Sequence, residues 1–167
     1  MTEYHQTVAR ITDLLHEHVI AYKTFTHEAV RTSEEAAALR PEYSLAQGAK
    51  ALIVRIKKRD VPKAEEKQFV QIVVPGDAKF DTKKTKVVLA AKDIRFATEA
   101  EVGEITDGVK PGGVPPFGNL FGLAVYAEET LLQNEEIIFN AGDKRFSIAM
   151  RSADYITVVN PKVVAIV

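Results

Sequence analysis

The chain has no cysteine and no tryptophan, and only two methionines among its 167 residues. Without cysteine there is no disulfide, no zinc–thiolate centre and no thiol nucleophile, and such a chain suits a reducing compartment. Charge of one sign is lacking as well. Twenty-two Lys and Arg against 23 Asp and Glu leave a net charge of −1, which removes any bulk attraction to nucleic acid. No apolar run approaches the ~18 residues that would span a bilayer. The opening "MTEYHQTVARITDLL" lacks the basic and then apolar regions of a signal peptide. A soluble, cytoplasmic protein that does not engage membranes is expected.

Familiar catalytic signatures are also missing. The sequence has no G-x-S-x-G elbow, no Walker loop, no H-E-x-x-H and no strand leading into G-x-G-x-x-G. All four histidines fall in the first 27 residues. His16 and His18 stand two apart on a helical stretch, so they diverge and cannot share a metal. Nothing in the spacing pairs a histidine with Ser44, Ser147 or Ser152 as a nucleophilic serine requires. No metal or cofactor is expected.

What is present is a globular composition, 46% hydrophobic and 27% charged, long enough for one domain over 1–167 with a sizeable core. Apolar spacing predicts a helix from Thr2 to Val19. Alternation predicts a strand over Tyr22–His27, and Thr32 or Ser33 caps a helix that ends before Pro41. "KALIVRI" (Lys50–Ile56) and "QFVQIVVPG" (Gln68–Gly76) read as a hairpin. Asp81 caps a helix to about Ala91, "IRF" is a short strand, and Thr98 with Glu101 forms a capping box. Strands are expected at "LAVYAEE", "EIIFNAG", "RFSIAMR" and "KVVAIV", with a helix in "SADYITVVN". Along "RFSIAMR", Phe146, Ile148 and Met150 share one face and Arg145, Ser147 and Arg151 the other. Six or seven strands and four helices, joined mainly as hairpins, make an α+β fold around a mixed, mostly antiparallel sheet of about seven strands.

Two features remain as candidates for chemistry. "KPGGVPPFGNL" (Lys110–Leu120) holds three glycines and three prolines in eleven positions, which neither a helix nor a central strand tolerates. Such a loop is either a preorganised set of main-chain amides for a developing oxyanion or a rigid plug at a sheet edge. Lys50 in "QGAKALIV" opens an otherwise apolar strand, either as a snorkelling surface lysine or as a cation facing that loop. The basic runs Arg55–Lys63 and Lys79–Lys86 are solvated turns or a weak rim for a polyanion.

In order along the chain, "TFTHEAVRTSEEAAAL", "QGAKALIVR", "QIVVPGDAKFD", "IRFATEAEV", "KPGGVPPFG" and "EIIFNAGDKRFSIAMRSADYITVVNPKVVAIV" resemble the YbaK/ProX-type aminoacyl-tRNA deacylases, also inserted as the editing domain of bacterial prolyl-tRNA synthetases. The lysine of "GAKALIV" and the G-x-x-x-P pattern on Gly112 and Pro116 are the most specific pieces. The resemblance implies a free-standing hydrolase of mischarged aminoacyl-tRNA, with water as nucleophile and the terminal ribose 2′-hydroxyl assisting. It implies catalytic roles for Lys50, Gly112, Gly113 and Pro116. Substrate would be held by His27, Val114, Phe117, Gly118, Asn140 and Gly142. Ala51 stands where some relatives carry a polar residue, and Asn140 where some alanine-specific relatives carry histidine. The partner implied is the aminoacyl-tRNA acceptor end, with a synthetase as a further partner, and the protein is expected to be a monomer. The rival readings are a non-catalytic module binding an aminoacyl or nucleotide end, and a regulatory partner docking on a synthetase. Gly112 is expected to need positive φ.

Overall fold

Branched apolar residues alternate through Lys67–Pro75 without a polar face, and both sides of this strand are buried. Ile72 and Val74 face one apolar cluster and Val73 another. That double burial makes it the centre of a sheet, and the fold is built outward from it. The structure, a computed structural model, describes residues 3–29 and 32–167. Thr2, the start of the expected first helix, and Val30 and Arg31, within the first resembling segment, lie outside the described residues.

The described elements are α1 (Thr7–Glu17), β1 (Tyr22–Thr26), α2 (Ser33–Leu39), β2 (Ala49–Lys58), α3 (Lys63–Glu66), β3 (Lys67–Pro75), α4 (Thr82–Val88), β4 (Ala91–Phe96), α5 (Glu99–Thr106), β5 (Val125–Glu128), α6 (Glu129–Leu132), β6 (Glu136–Asp143), β7 (Phe146–Arg151), α7 (Ser152–Val159) and β8 (Lys162–Val164). Short 3-10 turns occupy Leu45–Gln47, Pro111–Gly113 and Gly118–Phe121. The α+β class and the mainly antiparallel pairing are as expected. The strands, however, form two sheets rather than one of about seven. One has the order β4-β2-β3-β5-β8 and the other β1-β7-β6. The pairs β3–β5 and β5–β8 are parallel and the remainder antiparallel.

Gly48 is where the two sheets meet. It forms a parallel bridge to Ile138 of β6, while its carbonyl accepts the Gly76 N–H at 2.8 Å. The main core lies between the sheets, where Ile11 and Leu15 of α1 meet Val73, Phe117, Phe139, Ile148 and Tyr155. A second cluster covers the opposite face of the larger sheet, with Val54, Ile56, Ile72, Leu89 and Ile166.

Local signals set most of the ends. Thr32, Asp81 and Thr98 accept the N–H of Glu35, Lys84 and Glu101 respectively, each satisfying a helix donor that would otherwise lack a partner. The expected box at Thr98 and Glu101 is complete. Helix α4 is shorter than expected because Ala90 takes φ 50° and the chain turns into β4 at Ala91. Ser152 is the first residue of α7, and its hydroxyl donates to the Asn134 carbonyl at 2.6 Å.

Candidate active site

A cavity of about 260 Å³ opens at the sheet junction, between the start of β2, the Pro111–Val114 segment and β6. Lys50 lies on its wall, held at the end of β2 by pairing with Val74 of β3. The Lys50 ammonium donates to the Ala78 carbonyl at 3.0 Å. An ammonium carries three donors, so this bond directs the group and leaves two for a ligand. The other charged side chain on the wall is Arg40, which ends α2 and is only 6% exposed. Burial pushes the Arg40 guanidinium below its ordinary value, partly opposed by Glu42. Among the described residues lining this cavity there are two cations and no carboxylate.

The Gly/Pro loop divides in two. Lys110, Pro111 and Gly112 are exposed, whereas Gly113 through Gly118 are buried. In the first half, the Gly113 N–H closes a tight turn onto the Lys110 carbonyl at 2.8 Å and the Val114 N–H reaches the Pro111 carbonyl at 3.4 Å. The Gly112 N–H has no hydrogen-bond partner among the described residues. The Gly112 carbonyl accepts from Asn140 Nδ2 at 2.9 Å. In the second half, Gln71 of β3 grips the chain twice, donating to the Pro115 carbonyl and accepting the Gly118 N–H, both at 2.8 Å. The buried Tyr155 hydroxyl donates to the Pro116 carbonyl at 2.6 Å, and burial raises its ionisation far above the usual phenol value.

Lys50, Gly112, Val114 and Asn140 therefore share the cavity. Gly113 sits just behind it, against the Asp143–Lys144 backbone. Pro116, Phe117 and Gly118 are on the core side, with Phe117 fully buried against Phe139 and Tyr155. Gly142 lies in a bulge of β6, where Ala141 and Gly142 have no partner on β7. Its φ is +105°, and a Cβ there would stand 2.6 Å from the Thr7 Cβ. That requirement for glycine belongs to packing against α1, not to the cavity. The bulge helps aim Asn140 at the loop. Gly112 does not have the expected positive φ. A Cβ on it would meet the Lys144 Cε at 2.7 Å, the end of a flexible side chain.

His27 is not among the residues that line the cavity. Its Nε2 stands 2.7 Å from Ser147 Oγ, and its Nδ1 stands 2.8 Å from the Glu28 carbonyl. The spacing had given no sign of a histidine–serine pair. Ser147 is nevertheless fully buried; Arg40 Nη1 donates to its hydroxyl at 2.9 Å, and that hydroxyl donates in turn to Asn140 Oδ1 at 3.3 Å. At Ser147 the polar side of β7 thus faces an internal network, while Arg151 at its end is exposed. This His27–Ser147–Asn140 chain ends on the Gly112 carbonyl and supports the loop from behind.

Sequence reasoning missed Arg40, Gln71, Ser147 and Tyr155. Gln71 left a trace, being the lone polar side chain inside "FVQIVV". The other histidines lie away from the cavity: His5 Nε2 is at the Asp107 carbonyl, His16 Nε2 at the Tyr22 hydroxyl and His18 Nδ1 at the Leu14 carbonyl. The two basic runs also separate. Arg55 pairs with Asp93, and Lys92 with Glu66, at the far end of β2, whereas Lys79 follows directly on the Lys50 contact at Ala78. Among the described residues, no helix is long and apolar enough to cross a membrane.

Comparison with known proteins fits this geometry. The profile of the aminoacyl-tRNA editing domain matches residues 27–158. The Escherichia coli (strain K12) multifunctional Ser/Thr-tRNA deacylase ProXp-y is 31% identical over 159 residues, covering 95% of this chain and 91% of that protein. A proline–tRNA ligase of Sulfurihydrogenibium sp. (strain YO3AOP1) is 28% identical over 94 residues, 56% of this chain but 16% of the ligase. A crystal structure of a candidate trans-editing enzyme for prolyl tRNA synthetase superposes with a TM-score of 0.79 at 24% identity, over 98% of both chains. The cavity residues Lys50, Gly112 and Asn140 all fall inside the matched stretch, and the chain belongs to the aminoacyl-tRNA editing domain family.

Proposed function

We propose that this protein is a trans-editing hydrolase that cleaves the ester joining a wrongly attached amino acid to the terminal ribose of a tRNA. The observation that carries the reading is one cavity, within the family-matched stretch, where Lys50, Gly112 and Asn140 meet and every charged side chain is a cation. Water attacks the ester carbonyl, whose π electrons move onto oxygen. The Gly112 N–H, without another partner among the described residues, is the donor for that oxyanion. Lys50, oriented by the Ala78 carbonyl, holds the ribose–phosphate end of the substrate. The vicinal 2′-hydroxyl relays the proton of the attacking water, and the ribose oxygen leaves with a proton as free amino acid is released. An activated ester on a diol needs positioning more than a strong protein base.

Asn140 fixes the Gly112 carbonyl and so the direction of the neighbouring amide. Val114 supplies an apolar wall, while Gly113, Pro116, Phe117, Gly118, His27 and Gly142 hold that wall in shape. Editing of this kind answers the limit of about 100-fold on rejecting a smaller or isosteric amino acid by binding alone. The E. coli relative named for Ser/Thr-tRNA deacylation makes serine and threonine esters the first substrates to try, with alanine beside them. In this reading residues 1–167 act as one domain, as a cytoplasmic monomer engaging the acceptor end, with a synthetase as an occasional partner.

The test is release of free amino acid from tRNA charged with serine, threonine or alanine, measured above the spontaneous rate. Release by wild type and its loss in Lys50→Ala support the proposal. No release from any of the three overturns it in favour of a binding module.

A further inference from the structure

Phe96, at the end of the edge strand β4, leaves 61% of its surface in solvent. The Phe80 ring packs edge-on against it, with centroids 5.7 Å apart. Both belong to the side of the larger sheet that carries Lys50. Phe96 pairs in register with Val54, which shares its face of β2 with Leu52 and Lys50. Leu52 lines the cavity and packs, with Phe80, on the second apolar cluster. Leu52 on the cavity wall and Phe80 beneath Phe96 thus pack on the same apolar cluster, which links the cavity to the exposed aromatic pair. At strand rise, Lys50 to Val54 is about 13 Å, with about 5 Å more across to β4.

The charge beside this surface has one sign to spare. Lys79 and Lys83 are exposed and form no ion pair among the described residues, while Lys84 donates to the Val167 carbonyl. Of the nearby acids, the Asp81 carboxylate caps α4 and Glu101 is engaged by Arg95 through both oxygens. Asp77 is exposed.

We propose that the Phe96–Phe80 pair, flanked by Lys79 and Lys83, is a stacking platform for unpaired nucleotides leading into the cavity. The ligand class is single-stranded RNA at a 3′ end. This rests on the deacylase reading for its direction, because the ester must lie at Lys50 while the preceding bases cross toward β4. An aromatic face with cations beside it takes any base by stacking and its phosphates by charge. That gives modest, sequence-tolerant affinity despite a net charge of −1.

The chain has no tryptophan, so Phe96→Trp installs a single fluorophore at the platform. Its emission is expected to be quenched by a short single-stranded RNA ending in CCA and not by a blunt duplex of the same sequence. Phe96→Ala, checked by thermal melt, should weaken binding of the labelled oligonucleotide about tenfold, the loss expected for one stacked base. Its deacylation should show a raised KM and an unchanged kcat. Replacing Lys79 and Lys83 together by alanine should reduce the salt slope of binding by about one to two. The Lys23→Ala variant, on β1 of the smaller sheet, should bind as wild type does. If Phe96→Trp does not fold, anisotropy with Phe96→Tyr, which keeps the ring, must match wild type. Quenching without any deacylation would leave the platform standing and remove the hydrolase reading. Deacylation with no quenching, or equal quenching by the duplex, would overturn the platform.

Discussion

The two halves of the Gly/Pro loop share a composition and differ in everything else. Lys110–Gly112 is exposed, is closed by a turn bond from the Gly113 N–H to the Lys110 carbonyl, and leaves the Gly112 N–H without a partner among the described residues. Pro115–Gly118 is buried and held by Gln71 and Tyr155 through three bonds of 2.6 to 2.8 Å. A backbone can present a donor to a ligand only if something else fixes it, and here the fixing is done by the adjacent half together with Asn140, which holds the Gly112 carbonyl. Rigidity and chemistry are thus divided between neighbours rather than combined in each residue. Changes on the open side should act on rate, and changes on the anchored side on stability.

The largest effect is expected at Lys50. Lys50→Ala should lower single-turnover deacylation about 100-fold, the scale of one preorganised catalytic contact, with a melting temperature within a few degrees of wild type. Next comes Gln71→Leu, which strands the Pro115 carbonyl and the Gly118 N–H in the core. At about 1–3 kcal/mol for each unsatisfied group, urea unfolding should register a loss of about 2–6 kcal/mol. Pro116→Ala is smaller. Because Pro116 lies in the anchored half, its main effect is a freer unfolded chain, worth about 0.4–1 kcal/mol. A rate loss in the still-folded protein beyond tenfold would move Pro116 to the catalytic side.

The smallest effect concerns Asp143, behind the loop. Hydrogen bonds from the Arg145 side chain hold its carboxyl at about 2, below the ordinary 3.8, against the opposing effect of burial. A depressed carboxylate stabilises the fold above its unfolded value, and this contribution is lost as pH falls from about 4 toward 2. Wild type should lose more melting temperature across that interval than Asp143→Asn, which has no carboxylate to protonate.

How far the sequence discloses this arrangement depends on the separation of the partners. Caps at Thr32, Asp81 and Thr98 act over three residues, so residue type and spacing were enough to find them. The loop announced itself through glycine and proline, and Lys50 through its place at the head of an apolar run. Anchors from distant segments left little trace. Gln71 reaches 44 and 47 residues along the chain, Tyr155 reaches 39, Arg40 reaches 107 and His27 reaches 120. Ser147 could only be placed on the face of Arg145 and Arg151, because alternation records which side of a strand a residue occupies, not whether that side is covered. The division into two sheets was hidden for the same reason. Each strand could be read locally, but the joint depends on one bridge between Gly48 and Ile138.

The most direct test of the divided loop is a paired measurement on Asn140→Ala and Tyr155→Phe, with single-turnover deacylation and folded fraction determined on the same samples. Asn140→Ala frees the Gly112 carbonyl from the open side. It should lose about tenfold in rate, the lower range for a positioning contact, with its folded fraction unchanged. Tyr155→Phe strands the Pro116 carbonyl on the anchored side. It should lose about 1–3 kcal/mol of stability while its rate per folded molecule stays near wild type. If instead both variants lose activity only in proportion to their unfolded fraction, the loop is scaffold throughout and its backbone takes no part in the chemistry.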